Sequence, residues 1–326
     1  MSAQSSHFAP SNPPADFMSL DPQANKTAVI VSVNPNSGSS DQSKLITLVE
    51  EKLHSAGFEP NILTDIAEVA SESKRLNDAG KLRAVVAAGG DGTVSLLANT
   101  IDQNIPLAIL PLGTENLLAK YLNLTADPNR LLKLLQNGVE KKLDAGRANG
   151  KLFLVMASCG FDASVVEKLH SARKGHISHL SYFRPILSSL RWYRYPKLSI
   201  TIDDEETVLS ACWLFLFNVS RYAMNLPIAP EADPCDGFLN MCSFRGRGNL
   251  RGIFYLTSVL LRKHRQWCTT EFRKFRKMTI TSNDPNSAVP FQLDGDPGGY
   301  LPLEIEAVSE YLTVLTFPDT TDGANN

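Results

Sequence analysis

Between Ala28 and Pro111 the chain alternates short aliphatic runs with longer stretches of helical periodicity, and this alternation constrains the fold more than any other feature. The segments "AVIVSV" (28–33), "FEPNILT" (58–64), "LRAVVAA" (82–88) and "PLAILP" (106–111) have the length and residue types of strands, and 41–56, 65–80 and 93–102 read as helices between them. Strands separated by helices are joined by crossovers, so they lie parallel, and a parallel sheet needs helices over its faces. The expected unit is an open α/β sheet.

Ligands of such a sheet collect beyond the carboxyl ends of its strands. The marked sequences fall there: "NPNSG" (34–38), Thr64, "GGDGT" (89–93) and "PLGTEN" (111–116). A strand that runs into glycines and then a helix leaves main-chain N–H groups facing a space that no Cβ fills, and the helix start adds partial positive charge, which suits phosphate. Asp91 can order a metal ion or a water beside such phosphates. Asn34 and Ser37 offer side-chain hydrogen bonds, Gly38 opens access to the backbone, and Thr64 and Thr114 offer hydroxyls. Each has a structural alternative: Gly-Asp-Gly and Asn-Pro are turn formers, Ser39 or Ser40 can cap a helix, and so can Thr64 before Asp65. Together, at one sheet edge, they point to a nucleotide.

The α/β unit ends near "KKLDAGRANG" (141–150), after which β-like segments dominate, from "KLFLVMASCG" (151–160) to "LEIEAV" (303–308), with helical interruptions at about 162–194 and 249–264. With 326 residues, 43% hydrophobic and 20% charged, the chain is long enough for about two domains. A formal net charge of -2 gives no global case for nucleic acid. Five cysteines without a C-x-x-C pair indicate neither a disulfide framework nor a zinc ribbon, and a reducing cytoplasm is expected. The longest apolar run, "ACWLFLFNV" (211–219), has strand length and is too short to span a bilayer. Residues 1–26 and 318–326, rich in small and polar residues, are expected to be a disordered extension and tail.

Taken in order, "NPNSG", "GGDGT", "PLGTEN", "CGFDASVV" (159–166), "DPCDGFL" (233–239) and "LDGDPGG" (293–299) resemble the diacylglycerol kinase catalytic-domain family, especially soluble bacterial lipid kinases that are similar to sphingosine kinases. The resemblance covers about residues 27–317. NAD kinases share "GGDGT" and a similar layout, but "NPNSG" followed by "PLGTENLLAK" looks like the lipid-kinase branch. The fold implied is an N-terminal open parallel α/β ATP-binding domain (27–146) and a C-terminal β-sandwich-like lipid-substrate domain (147–299), with a cleft between them. Residues 300–317 would return to the first domain. The activity implied is ATP- and Mg²⁺-dependent phosphorylation of a lipid hydroxyl, of diacylglycerol or a sphingoid-type lipid. A NAD kinase, or a nucleotide- or lipid-binding relative without chemistry, remains open beside it.

By this resemblance the ATP contacts fall on Asn34, Pro35, Asn36, Ser37, Gly38, Thr64, Gly89, Gly90, Asp91, Gly92, Thr93, Val94, Ser95 and Thr114. The family's late Asp-Gly-Glu motif, which carries its catalytic base, reads Asp294-Gly295-Asp296 here. Asp296 therefore takes the base position, with Asp294 as a neighbour that orients it or holds metal, and Asp91 completes the catalytic set. A Mg²⁺ site maps onto Asp233, Asp236 and Phe238, and Asp144 onto a cleft aspartate. Two positions depart from the family: Leu96 where relatives commonly carry Glu, and Leu117 where they carry Asp. Finally, from Arg245 to Lys277 ten Arg and Lys residues stand against the single acid Glu271, with Phe254, Tyr255 and Trp267 among them. Peripheral contact with an anionic membrane and a plain solvated face both remain open for this segment. His170, His176 and His179 show no metal-ligand spacing and are expected at the surface.

Overall fold

The computed structural model describes residues 26–34, 40–171, 193, 195–205, 209–222, 226, 228–246, 249–266, 270–284 and 286–318. The first half runs β1 (Ala28–Val33), α1 (Ser40–Ser55), β2 (Glu59–Leu63), α2 (Ile66–Asp78), β3 (Leu82–Gly89), α3 (Asp91–Ala98), β4 (Leu107–Pro111), α4 (Leu117–Tyr121) and α5 (Pro128–Asn137). The second half runs β5 (Val139–Ala148), β6 (Lys151–Phe153), β7 (Met156–Cys159), α6 (Phe161–Ser171), β8 (Leu198–Ile202), β9 (Leu209–Ala211), β10 (Trp213–Phe217), β11 (Leu239–Phe244) and α7 (Asn249–Leu260). Then follow β12 (Thr270–Phe275), β13 (Lys277–Ser282), β14 (Pro290–Leu293), β15 (Asp296–Tyr300) and β16 (Leu303–Thr316).

The four expected strands form a parallel sheet in the order β2-β1-β3-β4. β1 and β3 are buried along nearly their whole length, as uninterrupted aliphatic runs require when helices cover both faces. The helices form where the periodicity places them, and polar side chains set their ends. Asp65 caps α2 by accepting the N–H groups of Ala67 and Glu68, and Asp127 caps α5 through Asn129. Arg83, buried on β3, donates to the carbonyls of Leu135 and Gly138 and so satisfies the far end of α5.

β16 carries this sheet into the second half. It lies parallel to β4 at Val314 and antiparallel to β5 and β13, and the sheet continues through β8 to β9. The sequence expectation ends the α/β unit at "KKLDAGRANG", whereas those residues lie in a strand and the turn after it. Most of the first four residues of β5 face solvent, and its partner is the last strand of the chain, so no local pattern marks it.

The second sheet is antiparallel, in the order β12-β11-β10-β7-β14-β15. In β10 successive side chains divide between two cores. Leu214 and Leu216 pack with Phe291, Met278 and Ile305 between the sheets, and Trp213, Phe215 and Phe217 join an aromatic cluster with Phe161, Tyr222 and Tyr255 on the other face. That two-sided burial explains "WLFLF", and it makes the C-terminal half a β-sandwich-like body beside the α/β sheet. The helix expected at 162–194 is described from Phe161 to Ser171, and 172–192 lie outside the described residues.

Candidate active site

The glycines of "GGDGT" and "PLGTEN" meet. A Cβ on Gly113 would lie 2.6 Å from the Cα of Gly90, and a Cβ on Gly89 would lie 2.2 Å from the Thr93 hydroxyl. Only glycine permits the first of these backbone approaches. Leu112 N–H donates to Gly89 O at 2.9 Å, and Asn116, in the left-handed conformation (φ 49), clamps the second loop by accepting from Gly113 N–H and donating to Gly113 O. The N-terminal turn of α3 thus opens beside the crossing. Its first N–H groups, those of Asp91 and Gly92, have no partner inside the helix.

The Asp91 carboxylate is engaged with α4. Its Oδ2 accepts Leu117 N–H at 2.8 Å and its Oδ1 accepts Leu118 N–H at 3.1 Å, so it holds the start of α4. Burial raises its pKa, and the two N–H donors and Lys120 oppose that rise. The expected metal- or water-ordering role therefore competes with a structural one. Thr93 and Val94 are buried in the core, 8% and 1% exposed, so only their main chain can reach a ligand. Gly92, Thr64 and Thr114 are exposed at the strand ends, and Ser95 is half-buried. Asn34 is exposed after β1, while Pro35, Asn36, Ser37 and Gly38 lie outside the described residues.

Across the opening stands the turn between β14 and β15. Asp294 (φ 51) and Gly295 (φ 90) form it, and Gln292 Oε1 accepts Gly295 N–H at 2.8 Å. The Asp294 carboxylate turns inward and accepts three successive N–H groups, of Leu154, Val155 and Met156, at 2.8–3.0 Å. Burial pushes its pKa up to about 6 against those donors, with Asp91 adding to the rise. Asp296 is exposed instead. Its Oδ2 lies 3.5 Å from where a Cβ on Gly92 would sit, and its Oδ1 is 3.9 Å from His170 Nδ1. One carboxylate of the Asp-Gly-Asp motif thus braces the β-body, and the other faces the glycine turn.

A family model described as diacylglycerol kinase catalytic domain matches residues 28–148, and one described as YegS C-terminal NAD kinase beta sandwich-like domain matches 155–316. The chain belongs to the diacylglycerol kinase catalytic-domain family. A diacylglycerol kinase of Bacillus subtilis is 24% identical over 288 residues, 86% of this chain and 94% of that one. One of Staphylococcus saprophyticus is 24% identical over 87% of this chain and 93% of its own length. A crystal structure of a diacylglycerol kinase from Bacillus anthracis shares the fold with a TM-score of 0.63 at 20% identity, covering 90% of this chain and 97% of that one. The family's relatives support lipid kinase as the general class.

Against the family's metal pattern the loop 233–238 is arranged differently. Asp236 Oδ2 binds Lys274 Nζ at 2.6 Å and its Oδ1 accepts Phe238 N–H, while Asp233 Oδ1 accepts the Tyr121 hydroxyl and Cys235 N–H. The Asp233 carbonyl takes Asp236 N–H, and the Phe238 ring lies under Arg276. Among the described residues no three His, Cys, Asp or Glu side chains gather as a metal site. At Asp236 a Mg²⁺ would have to displace the Lys274 ammonium from the carboxylate, and Asp233 and Phe238 would bring only their main-chain carbonyls. Asp144, buried, accepts Gly237 N–H and Glu310 N–H and so ties this loop to β5 and β16.

Of the two departures from the family, Leu96 is exposed and Leu117 is buried in the core cluster. Four residues of the site escape sequence reasoning: Gly113, Asn116, Gln292 and His170. Gly113 and Asn116 stand inside a quoted motif, and the glycine pair itself could have signalled a crossing. Gln292 and His170 carried no signal, since the bond from Gly295 N–H to Gln292 and the approach of His170 to Asp296 exist only in the folded chain. No helix of the described residues is long and apolar enough to cross a membrane.

Proposed function

We propose that the protein transfers the γ-phosphoryl group of ATP to the hydroxyl of a diacylglycerol or sphingoid-type lipid. The observation that carries this reading is the position of Asp296, an exposed carboxylate set against Gly92 at the start of α3. Triphosphate would lie over the N-terminal turn of α3, where the main-chain N–H groups of Asp91 and Gly92 and the helix dipole receive charge. Asn34, Thr64 and Thr114 would flank the nucleotide. The lipid oxygen attacks the γ-phosphorus, the bond to the bridging oxygen of ADP breaks, and Asp296 takes the hydroxyl proton. Mg²⁺ brought with ATP supplies neutralising charge to the phosphates when bound. In this reading 27–146 bind ATP, 147–299 present the lipid, and 300–317 join the two.

Labelled ATP incubated with diacylglycerol, a sphingoid base and NAD tests the reading. Label in a lipid product supports it. Label in NADP alone points to a NAD kinase, and nucleotide binding without transfer to any acceptor to a relative without chemistry; either outcome overturns it.

A further inference from the structure

Within the basic segment 245–277, Arg245 pairs with Glu271, Arg265 with Glu231, Arg273 with both Glu205 and Glu271, and Lys274 with Asp236. A different set of cations converges on open space. Between α4, the loop after it, the first turn of α5 and the segment after β10 lies an open recess of about 530 Å³, lined among the described residues by Lys120, Asn123, Leu124, Thr125, Arg130 and Arg221. Three of these side chains are cationic and none is acidic, in a chain whose formal net charge is -2. Acids on the adjoining loops are engaged: Glu115 with Lys120 at 3.7 Å, Asp127 with Asn129 N–H, and Asp233 with the Tyr121 hydroxyl.

Arg130 is braced without a ligand. Its Nη2 donates to Asn123 O at 2.8 Å, Asn123 itself being left-handed (φ 54), and its guanidinium lies over the Phe317 ring, 5.1 Å from the centroid. That bond takes one of five N–H donors, and a planar guanidinium held in this way matches two oxygens of a phosphate. The place in the sheet also suits a ligand. β16 runs parallel to β4 at Val314, so Phe317, just past its end, lies at the edge where β4 also ends. The recess therefore sits one strand along from the glycine crossing, on the edge where such sheets take ligands.

We propose that this recess is a second anion site, separate from the glycine turn, which binds free phosphate or the phosphate group of a small soluble ester. Arg130 and Arg221 grip the phosphate oxygens, and Lys120 adds charge. Small-molecule sites measure roughly 300–1,000 Å³, so a sugar-sized group fits beside the phosphate, against Leu124 and within reach of the polar groups of Asn123 and Thr125. The site does not depend on the lipid-kinase reading.

The experiment measures thermal unfolding and calorimetric binding of the full chain with inorganic phosphate and with glucose 6-phosphate, against glucose and against chloride at equal ionic strength. Both phosphates should stabilise wild type beyond chloride, and glucose should not. Tighter binding of glucose 6-phosphate marks an ester as the occupant, and equal affinity marks free phosphate. Arg130→Gln and Arg221→Gln should each weaken binding by about tenfold to a hundredfold, as loss of a charge-assisted bond does, while ADP affinity stays near wild type. Because Arg130 also braces Phe317, Lys120→Gln/Arg221→Gln reads the same site without touching that contact, and its unliganded unfolding temperature shows whether it folds. The proposal is overturned if neither phosphate stabilises wild type beyond chloride, if Lys120→Gln/Arg221→Gln binds them like wild type, or if ADP displaces them, which would put the anion on the glycine turn. Phosphate binding by a protein that ignores ADP would strike the nucleotide reading alone.

Discussion

Asp91 Oδ2 accepts the main-chain N–H of Leu117 at 2.8 Å, which joins the aspartate of the glycine turn to the leucine that replaces a family aspartate. A second acidic side chain at 117 would stand beside a carboxylate whose pKa burial already raises. Leucine instead buries its side chain and offers only its N–H.

Asp91→Ala should therefore cost stability as well as turnover. It removes the acceptor of two N–H groups at the start of α4, and charge-assisted bonds or caps of this kind are worth about 1–3 kcal/mol in sum. Urea unfolding should give a lower midpoint with little change in slope. Wild-type stability in the variant would mean that α4 does not depend on this carboxylate.

Gly113→Ala should disturb both loops at once. Its Cβ would lie 2.6 Å from Gly90 Cα and 2.8 Å from Asn116 Oδ1, and main chain cannot step aside as a flexible side chain does. Overpacking of this kind costs about 1–3 kcal/mol. The variant should lose ATP affinity in calorimetry, and undiminished affinity would count against the crossing as the phosphate cradle.

Lys274→Met tests the loop at Asp236. Wild type should show one unfolding temperature in Mg²⁺ and in EDTA. The variant, with its ammonium gone, should be destabilised by no more than about 1 kcal/mol, as for an exposed pair, and should regain stability on adding Mg²⁺. Loss of wild-type stability in EDTA would restore a resident metal.

For Asp294 the pH dependence has a defined sign. Its folded pKa of about 6 lies above the value of about 3.9 for a free aspartate, so the folded state binds the extra proton between the two. Stability from this group is present below about pH 4 and is lost as pH rises through 6, on the order of 3 kcal/mol in all. Asp294→Asn should flatten that slope relative to wild type. Parallel slopes in paired thermal melts would show that the group does not titrate there.

Much of this arrangement was legible in the chain. Parallel strands follow from "AVIVSV" and "LRAVVAA" because burial on both faces leaves an uninterrupted aliphatic run, and glycines mark the crossing of the two loops because a close backbone approach demands them. What the sequence hid is non-local. β5 takes its place from a strand at the other end of the chain, and Asp294 and Asp296, alike in sequence, part only because three N–H groups of 154–156 turn one of them inward. Paired and unpaired cations in 245–277 look the same until Glu205 and Glu231 are placed in space.

Asp296 and the turn that carries it can be separated by substitution. Asp296→Asn keeps size and removes proton acceptance, so kcat should fall by roughly 10²–10⁴ while ATP affinity stays near wild type. Gln292 does not face the reaction but holds the turn, through Gly295 N–H at 2.8 Å, and its amide nitrogen reaches toward Asp162 Oδ2 at 3.4 Å. Asp162, partly buried and also accepting from Ser158 and Tyr222, fixes which end of that amide points at Gly295. Gln292→Leu should therefore lower kcat less than Asp296→Asn does, and the double variant should be no slower than Asp296→Asn alone, since a misplaced turn matters only while it carries a base. Additive losses in the double variant would mean that Gln292 acts elsewhere, and full turnover in Asp296→Asn would remove Asp296 from the chemistry.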